Sequence, residues 1–193
     1  LLPMLFIVAQ KETGSALVYI SFFLMFYREG MTGSVLFTGV AMVIYFVVGI
    51  RYEEALMFDT TTSIGKFAVL LLVQIFTSGM VYVYCKDKQQ ALTILVYSVG
   101  ITLLALLFAV FVIPFDIVWV QLAVSAGLVG YLVYLWMNRR IKHYLYILLF
   151  TIGSIAFFYS ADYVLNNIME PHQRVRINVL LGLDEDLAGA GYN

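Results

Sequence analysis

The sequence predicts an all-α, polytopic transmembrane helix bundle, on three observations. The 193-residue chain is 63% hydrophobic and only 12% charged, against roughly 25% charged in an ordinary soluble domain. Its apolar residues fall into runs of the length a spanning helix needs, ~20 residues with a range of about 17–25. The charges collect in the stretches between those runs. So few charges do not cover the surface of a water-soluble fold, which makes the bilayer the solvent.

Taken in order, Leu1–Ala9 is a truncated span that ends at the polar loop Gln10–Gly14. Ser15–Tyr27 is apolar but short, and spans by borrowing flanking residues or thinning the bilayer. Arg28-Glu29-Gly30 makes a tight polar turn. Thr32–Ile50 is a full span, followed by a longer polar loop, Arg51–Ser63, whose Thr60-Thr61-Thr62-Ser63 run supplies a cap for the next helix. Ile64–Tyr84 spans again. Ala91–Ile113 and Phe115–Met137 form a hairpin broken at Pro114 and Asp116, and Ile141–Tyr163 is the last span. The whole chain, 1–193, therefore reads as one membrane domain: a truncated helix (1–9), six complete helices (15–163) and a polar loop (164–193). The opening on LLPMLFIVA and the stop after GAGYN lead us to expect an internal piece of a longer polypeptide.

Alternate loops set the orientation. Arg28, Lys86, Lys88, Arg139, Arg140 and Lys142 lie on one side, Lys11, Arg51, Lys66, Arg174 and Arg176 on the other. Two of the second set fall in the long tail, so the short-loop excess marks the first side as cytoplasmic. The loop at Glu12 and the tail from Glu170 to Asn193 then share the outer face. Tyr27, Tyr45, Phe46, Tyr82, Tyr84, Trp119, Trp136, Tyr144 and Tyr146 stand near span ends, where interfacial aromatic belts form. Ala105 with Ala109, and Ala123 with Gly127, have the four-residue spacing of close helix packing.

Several chemistries are disfavoured. The net charge of −1 offers no basic patch for nucleic acid, and the single Cys85 excludes an intrachain disulfide or a Cys-pair metal site. Cys85 reads as a small apolar residue at a helix end. No ionisable residue sits mid-span: Lys66, Asp116 and Asp162 lie near helix ends. Only Gln74 and Gln121 are deeper, as interhelical hydrogen bonders, so a proton-coupled path is disfavoured. His143 reads as a surface residue and His172 as a loop residue. In the tail, Arg174-Val175-Arg176-Ile177 alternates polar and apolar. Two readings stand: paired arginines gripping a phosphate or diphosphate, or a polar face covering the bundle. Gly189 and Gly191 either let backbone approach a ligand or simply make a turn.

Two motifs in order carry a resemblance. Ala9-Gln10-Lys11-Glu12-Thr13-Gly14-Ser15-Ala16 resembles the AQPDxGSA-type outer loop of the SEDS family, the RodA/FtsW/SpoVE cell-wall proteins. Gln173-Arg174-Val175-Arg176-Ile177, with Leu180-Leu181, Asp184, Asp186 and Gly189-Ala190-Gly191-Tyr192-Asn193, resembles that family's entry to its large outer loop, in wording nearest the RodA branch. The departures are specific. Lys11-Glu12 replaces Pro-Asp, the two Asp-Pro prolines are absent, and six spans separate motifs that the family separates by two. The four extra helices read as an insertion.

The resemblance implies a peptidoglycan glycosyltransferase of the bacterial inner membrane that polymerises lipid II during cell elongation. A class B penicillin-binding protein and other elongation-complex membrane proteins would be its partners. It places the family's key aspartate beyond Asn193. Within this chain it leaves Glu12 a supporting catalytic role, Lys11, Arg174 and Arg176 contacts to substrate, and Gly14, Gly189, Gly191 and Tyr192 the shaping of loops. No cofactor is identifiable, and no ligand set in the sequence points to a divalent cation. The alternatives are a transporter of the lipid-linked precursor and a non-catalytic membrane scaffold.

Overall fold

The computed structural model describes residues 30, 32–57 and 61–168. Among them lie five helices: α1 (Gly33–Arg51), α2 (Ile64–Cys85), α3 (Lys88–Phe111), α4 (Ile117–Arg139) and α5 (Lys142–Asn167). All five are long and apolar enough to cross a membrane, and no strand occurs among the described residues. Five of the six complete spans expected from the sequence are thus present. Those over 1–9 and 15–27 lie outside the described residues. Val96, Leu104, Phe111 and Trp119 are each more than 60% exposed, an apolar surface that water would not tolerate and hydrocarbon does. The protein is membrane-embedded.

The chain divides into two units, 1–43 and 44–193. The described part of the first holds Gly30 and the start of α1. Gly30 has φ +103°, a conformation that suits glycine and fits the tight turn expected there. Thr38 then donates its hydroxyl back to the Ser34 carbonyl at 2.9 Å.

In the second unit α2–α5 form an antiparallel bundle. α2 packs on α3, α4 and α5, while α4 also packs on α3 and α5. Three of these helices start where a side chain satisfies free N–H groups. The Ser63 hydroxyl accepts from Lys66 N, the Asp87 carboxylate from Gln90 N at 3.1 Å, and the Asp116 carboxylate from Val118 N at 3.1 Å. The Asp87 cap starts α3 at Lys88, before the expected Ala91. Ahead of Pro114, α3 stops at Phe111. α5 runs to Asn167, beyond the expected Tyr163. There Asn166 donates to the Asp162 carboxylate at 3.1 Å and Asn167 to the Tyr163 carbonyl at 3.1 Å, which holds the last turn closed.

Two expectations need correcting. Tyr45 and Tyr144 are fully buried and belong to no interfacial belt. The Tyr45 ring packs against Phe76 with centroids 5.9 Å apart, and Tyr144 donates to Asp87 at 3.4 Å. Tyr82, Trp119, Trp136 and Tyr146 do face outward. Of the small-residue pairs, Ala109 is buried beside Phe67 and Ile117, but Gly127 is exposed. The space where its side chain would stand is open.

The two ends of the bundle differ in charge. Where α2 and α4 end and α3 and α5 begin stand Lys86, Lys88, Arg139, Arg140 and Lys142, with Asp87 as the one acid among the described residues. Asp87 pairs with Arg139. The opposite end carries Arg51 and Lys66 with Glu53, Glu54, Asp116 and Asp162. The loop between α1 and α2 folds over this acidic end and supplies the first N–H groups of α2 with carbonyl acceptors: Ala55 O to Ile64 N and Tyr52 O to Gly65 N, both at 2.8 Å. A side chain at Gly65 would run into the Gly49 carbonyl oxygen. Gly65→Ala is therefore expected to destabilise the fold by about 1–3 kcal/mol, read as a lower midpoint of thermal unfolding in detergent. An unchanged midpoint would mean that α1 and α2 part at no cost.

Candidate functional site

Lys11, Glu12 and Gly14, and Arg174, Arg176, Gly189, Gly191 and Tyr192, all lie outside the described residues. The structure describes the platform from which the second group departs, the acidic end where α5 finishes.

Four residues lock that platform. Lys66, in the first turn of α2, pairs with Asp162 of α5 at 3.5 Å, with about a third and a fifth of the two side chains exposed. The Asn166 amide donates both to Asp162 and to the Glu53 carboxylate of the loop, the latter at 2.8 Å. A partly exposed pair of this kind contributes up to about 1 kcal/mol, so its effect is geometric. It holds the entry to α2 beside the exit of α5. Beneath it, between Gly49, Phe158 and Asp162, the crevice measures about 10 Å³, room for one water at most. The arrangement is a latch with no space for a substrate.

A second contact pins the loop to α4. Thr62 is fully buried. Its hydroxyl donates to the Asp116 carboxylate at 3.0 Å and accepts from Ile117 N at 2.8 Å. The TTTS run thus supplies two residues: Ser63 caps α2, as the sequence predicts, and Thr62 joins that cap to the next one.

The bundle interior carries a polar seam. Gln74 donates to Ser125 at 3.4 Å, Gln121 to the Phe67 carbonyl at 3.2 Å, and Thr77 pairs with Thr151 at 2.9 Å. The two glutamines are the interhelical hydrogen bonders that the sequence predicts. Each leaves its carbonyl oxygen buried with no protein partner among the described residues, at a cost of about 1–3 kcal/mol each when dry. The seam contains no ionisable side chain, which matches the absence of mid-span charge in the sequence.

Among the described residues no group of three or more His, Cys, Asp or Glu is placed to hold a metal ion. His143 is exposed at the basic end, and Cys85 is a free, half-buried thiol closing α2. An apolar groove of about 500 Å³ runs between α3 and α4, lined by residues from Thr93 to Ile101 and from Val120 to Tyr131.

Sequence reasoning missed Glu53 and Asn166. They meet across 113 positions, and neither sits in a local pattern that signals the pairing. Compared with known proteins, the chain matches no family model, no curated protein and no solved structure.

Proposed function

We propose that this chain is part of a SEDS-type peptidoglycan glycosyltransferase of the bacterial inner membrane, which polymerises lipid II in concert with a class B penicillin-binding protein. The observation that carries this reading is the ordered pair of motifs at residues 9–16 and 173–193. Its main obstacle is the six spans between motifs that the family separates by two. The bundle offers a way around it. α2–α5 are an even number of crossings, and the latch brings the entry of α2 beside the exit of α5. Four helices inserted in this manner return the chain to the face it left, as inserted domains with neighbouring ends do. The outer-face tail therefore keeps its side.

Glycosyl transfer needs a base for the attacking sugar hydroxyl and positive charge for the departing diphosphate. Glu12 is a carboxylate suited to support the first role. Arg174 and Arg176 suit the second, because a guanidinium binds phosphate oxygens through two parallel N–H bonds. The test is glycan-strand synthesis from purified lipid II by the complete protein, with and without its penicillin-binding partner. Polymer is expected from the native protein, with at least an approximately tenfold loss in E12A and in R174A. Full activity in both variants would remove these residues from the site. No polymer under any condition would transfer the reading to precursor transport or scaffolding.

A further inference from the structure

We propose that the groove between α3 and α4 holds one chain of an anionic glycerophospholipid, whose headgroup rests on the basic end of the bundle. The inference depends on no part of the glycosyltransferase reading, and it concerns the end of the bundle opposite the Lys66–Asp162 latch.

The dimensions select the occupant. Along α4 the groove extends from Val120 to Tyr131, a rise of ~16 Å at about 1.5 Å per residue. Its volume is about 500 Å³. A helix, about 10–12 Å across with its side chains, seats only single side chains in a groove of this kind, whereas one alkyl chain lies along its whole length. Tyr97 and Ile101 form the α3 wall and are exposed. On the α4 side Gly127 leaves the floor open, with no atom within 4 Å of where its side chain would begin. The polar groups of the lining are already engaged. Thr93 donates to the Gln89 carbonyl, Ser98 to the Leu95 carbonyl, and Tyr131 to Gln90. They ask nothing of a ligand.

Charge selects the headgroup. The Tyr131–Gln90 contact joins α3 to α4 on the basic side of the groove. Lys86, Lys88, Arg140 and Lys142 stand there, at least partly exposed. Asp87, the only acid at that end among the described residues, is paired with Arg139. Basic clusters beside membrane helices attract anionic headgroups, each Lys or Arg adding to the attraction. The chain site thus lies between α3 and α4, and the headgroup site on the start of α3 and the turns that flank both helices, in the order a phospholipid presents them.

The test uses the full chain purified in mild detergent, with bound lipid counted by native mass spectrometry. Phosphatidylglycerol is compared with phosphatidylethanolamine carrying the same acyl chains. The wild type is expected to retain one phosphatidylglycerol at least about tenfold more tightly than phosphatidylethanolamine. Gly127→Leu puts a side chain into the open floor and is expected to abolish retention, with helix content and melting midpoint preserved. The triple variant K88Q/R140Q/K142Q is expected to bind both lipids equally and weakly. A phosphatidylglycerol with a diazirine in its acyl chain needs no variant and is expected to label residues 93–101 and 120–131. Equal retention of the two lipids by the wild type would overturn the proposal. So would retention unaffected by Gly127→Leu, which would indicate surface attraction alone, or labelling elsewhere. Finding a dimer free of lipid that Gly127→Leu dissociates would overturn it in favour of a second copy.

Discussion

Excising α2–α5 as one piece, residues 64–167, is expected to leave the downstream segment on the membrane face it already occupies, whereas removing α5 alone sends it to the other. A phosphatase or a green fluorescent protein fused after Ile168 reads this as an all-or-none change of side. The reasoning is geometric. Each spanning helix reverses the chain once, so four cancel and one does not. The latch of Lys66 with Asp162 at 3.5 Å and Asn166 with Glu53 at 2.8 Å shows entry and exit already side by side, so a short joint bridges the cut. The reporter changing sides after the four-helix excision would refute the insertion reading, because the bundle would then be setting the orientation of the chain beyond it.

Thr62→Val, nearly the same shape without the hydroxyl, is the point substitution expected to cost most. It removes the bond to the Asp116 carboxylate and strips Ile117 N of its acceptor, both at a fully buried residue. An orphaned buried N–H costs about 1–3 kcal/mol, and a bond to a charged group contributes about 1.5–3 kcal/mol. Allowing for overlap, roughly 3 kcal/mol is expected. That is on the order of a hundredfold in the folding equilibrium, and about 6–12 °C in melting midpoint for a chain of this size. Thr62→Ser keeps the hydroxyl and is expected to melt near the wild type. If valine and serine variants melt alike, the Thr62 bridge contributes nothing.

The parts of the fold legible in the sequence are those that local rules govern. Span lengths, the Ser63 cap and the helix break at Pro114 follow from hydropathy, capping chemistry and the missing proline N–H; the break was also legible at Asp116, but its role as the cap that starts α4 was not. The roles of Gln74 and Gln121 follow because a lone amide deep in a span has only neighbouring helices to bond. Legibility failed wherever the outcome depends on which face of a helix turns inward. A tyrosine near a span end has the same local signature at Tyr45, which is buried, as at Tyr82, which is exposed. The spacing of Ala123 and Gly127 likewise promised contact and produced a groove. Of the candidate site, the motif residues were legible only through resemblance. The Glu53–Asn166 contact was not legible, because the tertiary fold alone brings its two residues together.

Two tight turns at the basic end have a consequence for biogenesis. Lys86 and Arg140 each follow the last residue of a helix, and both have left-handed backbone, with φ of 52° and 53°. Glycine is usual there, since any other residue strains the backbone, by roughly 1–2 kcal/mol for this conformation. Both positions carry a cation instead. A charge there complements the negative end of its helix, and a cation-rich end is the one that the positive-inside rule would keep on the cytoplasmic side. At these two residues the requirements of the finished fold and of the nascent chain would then diverge: glycine would relax the turn, and a lysine and an arginine would keep the cue that this rule reads.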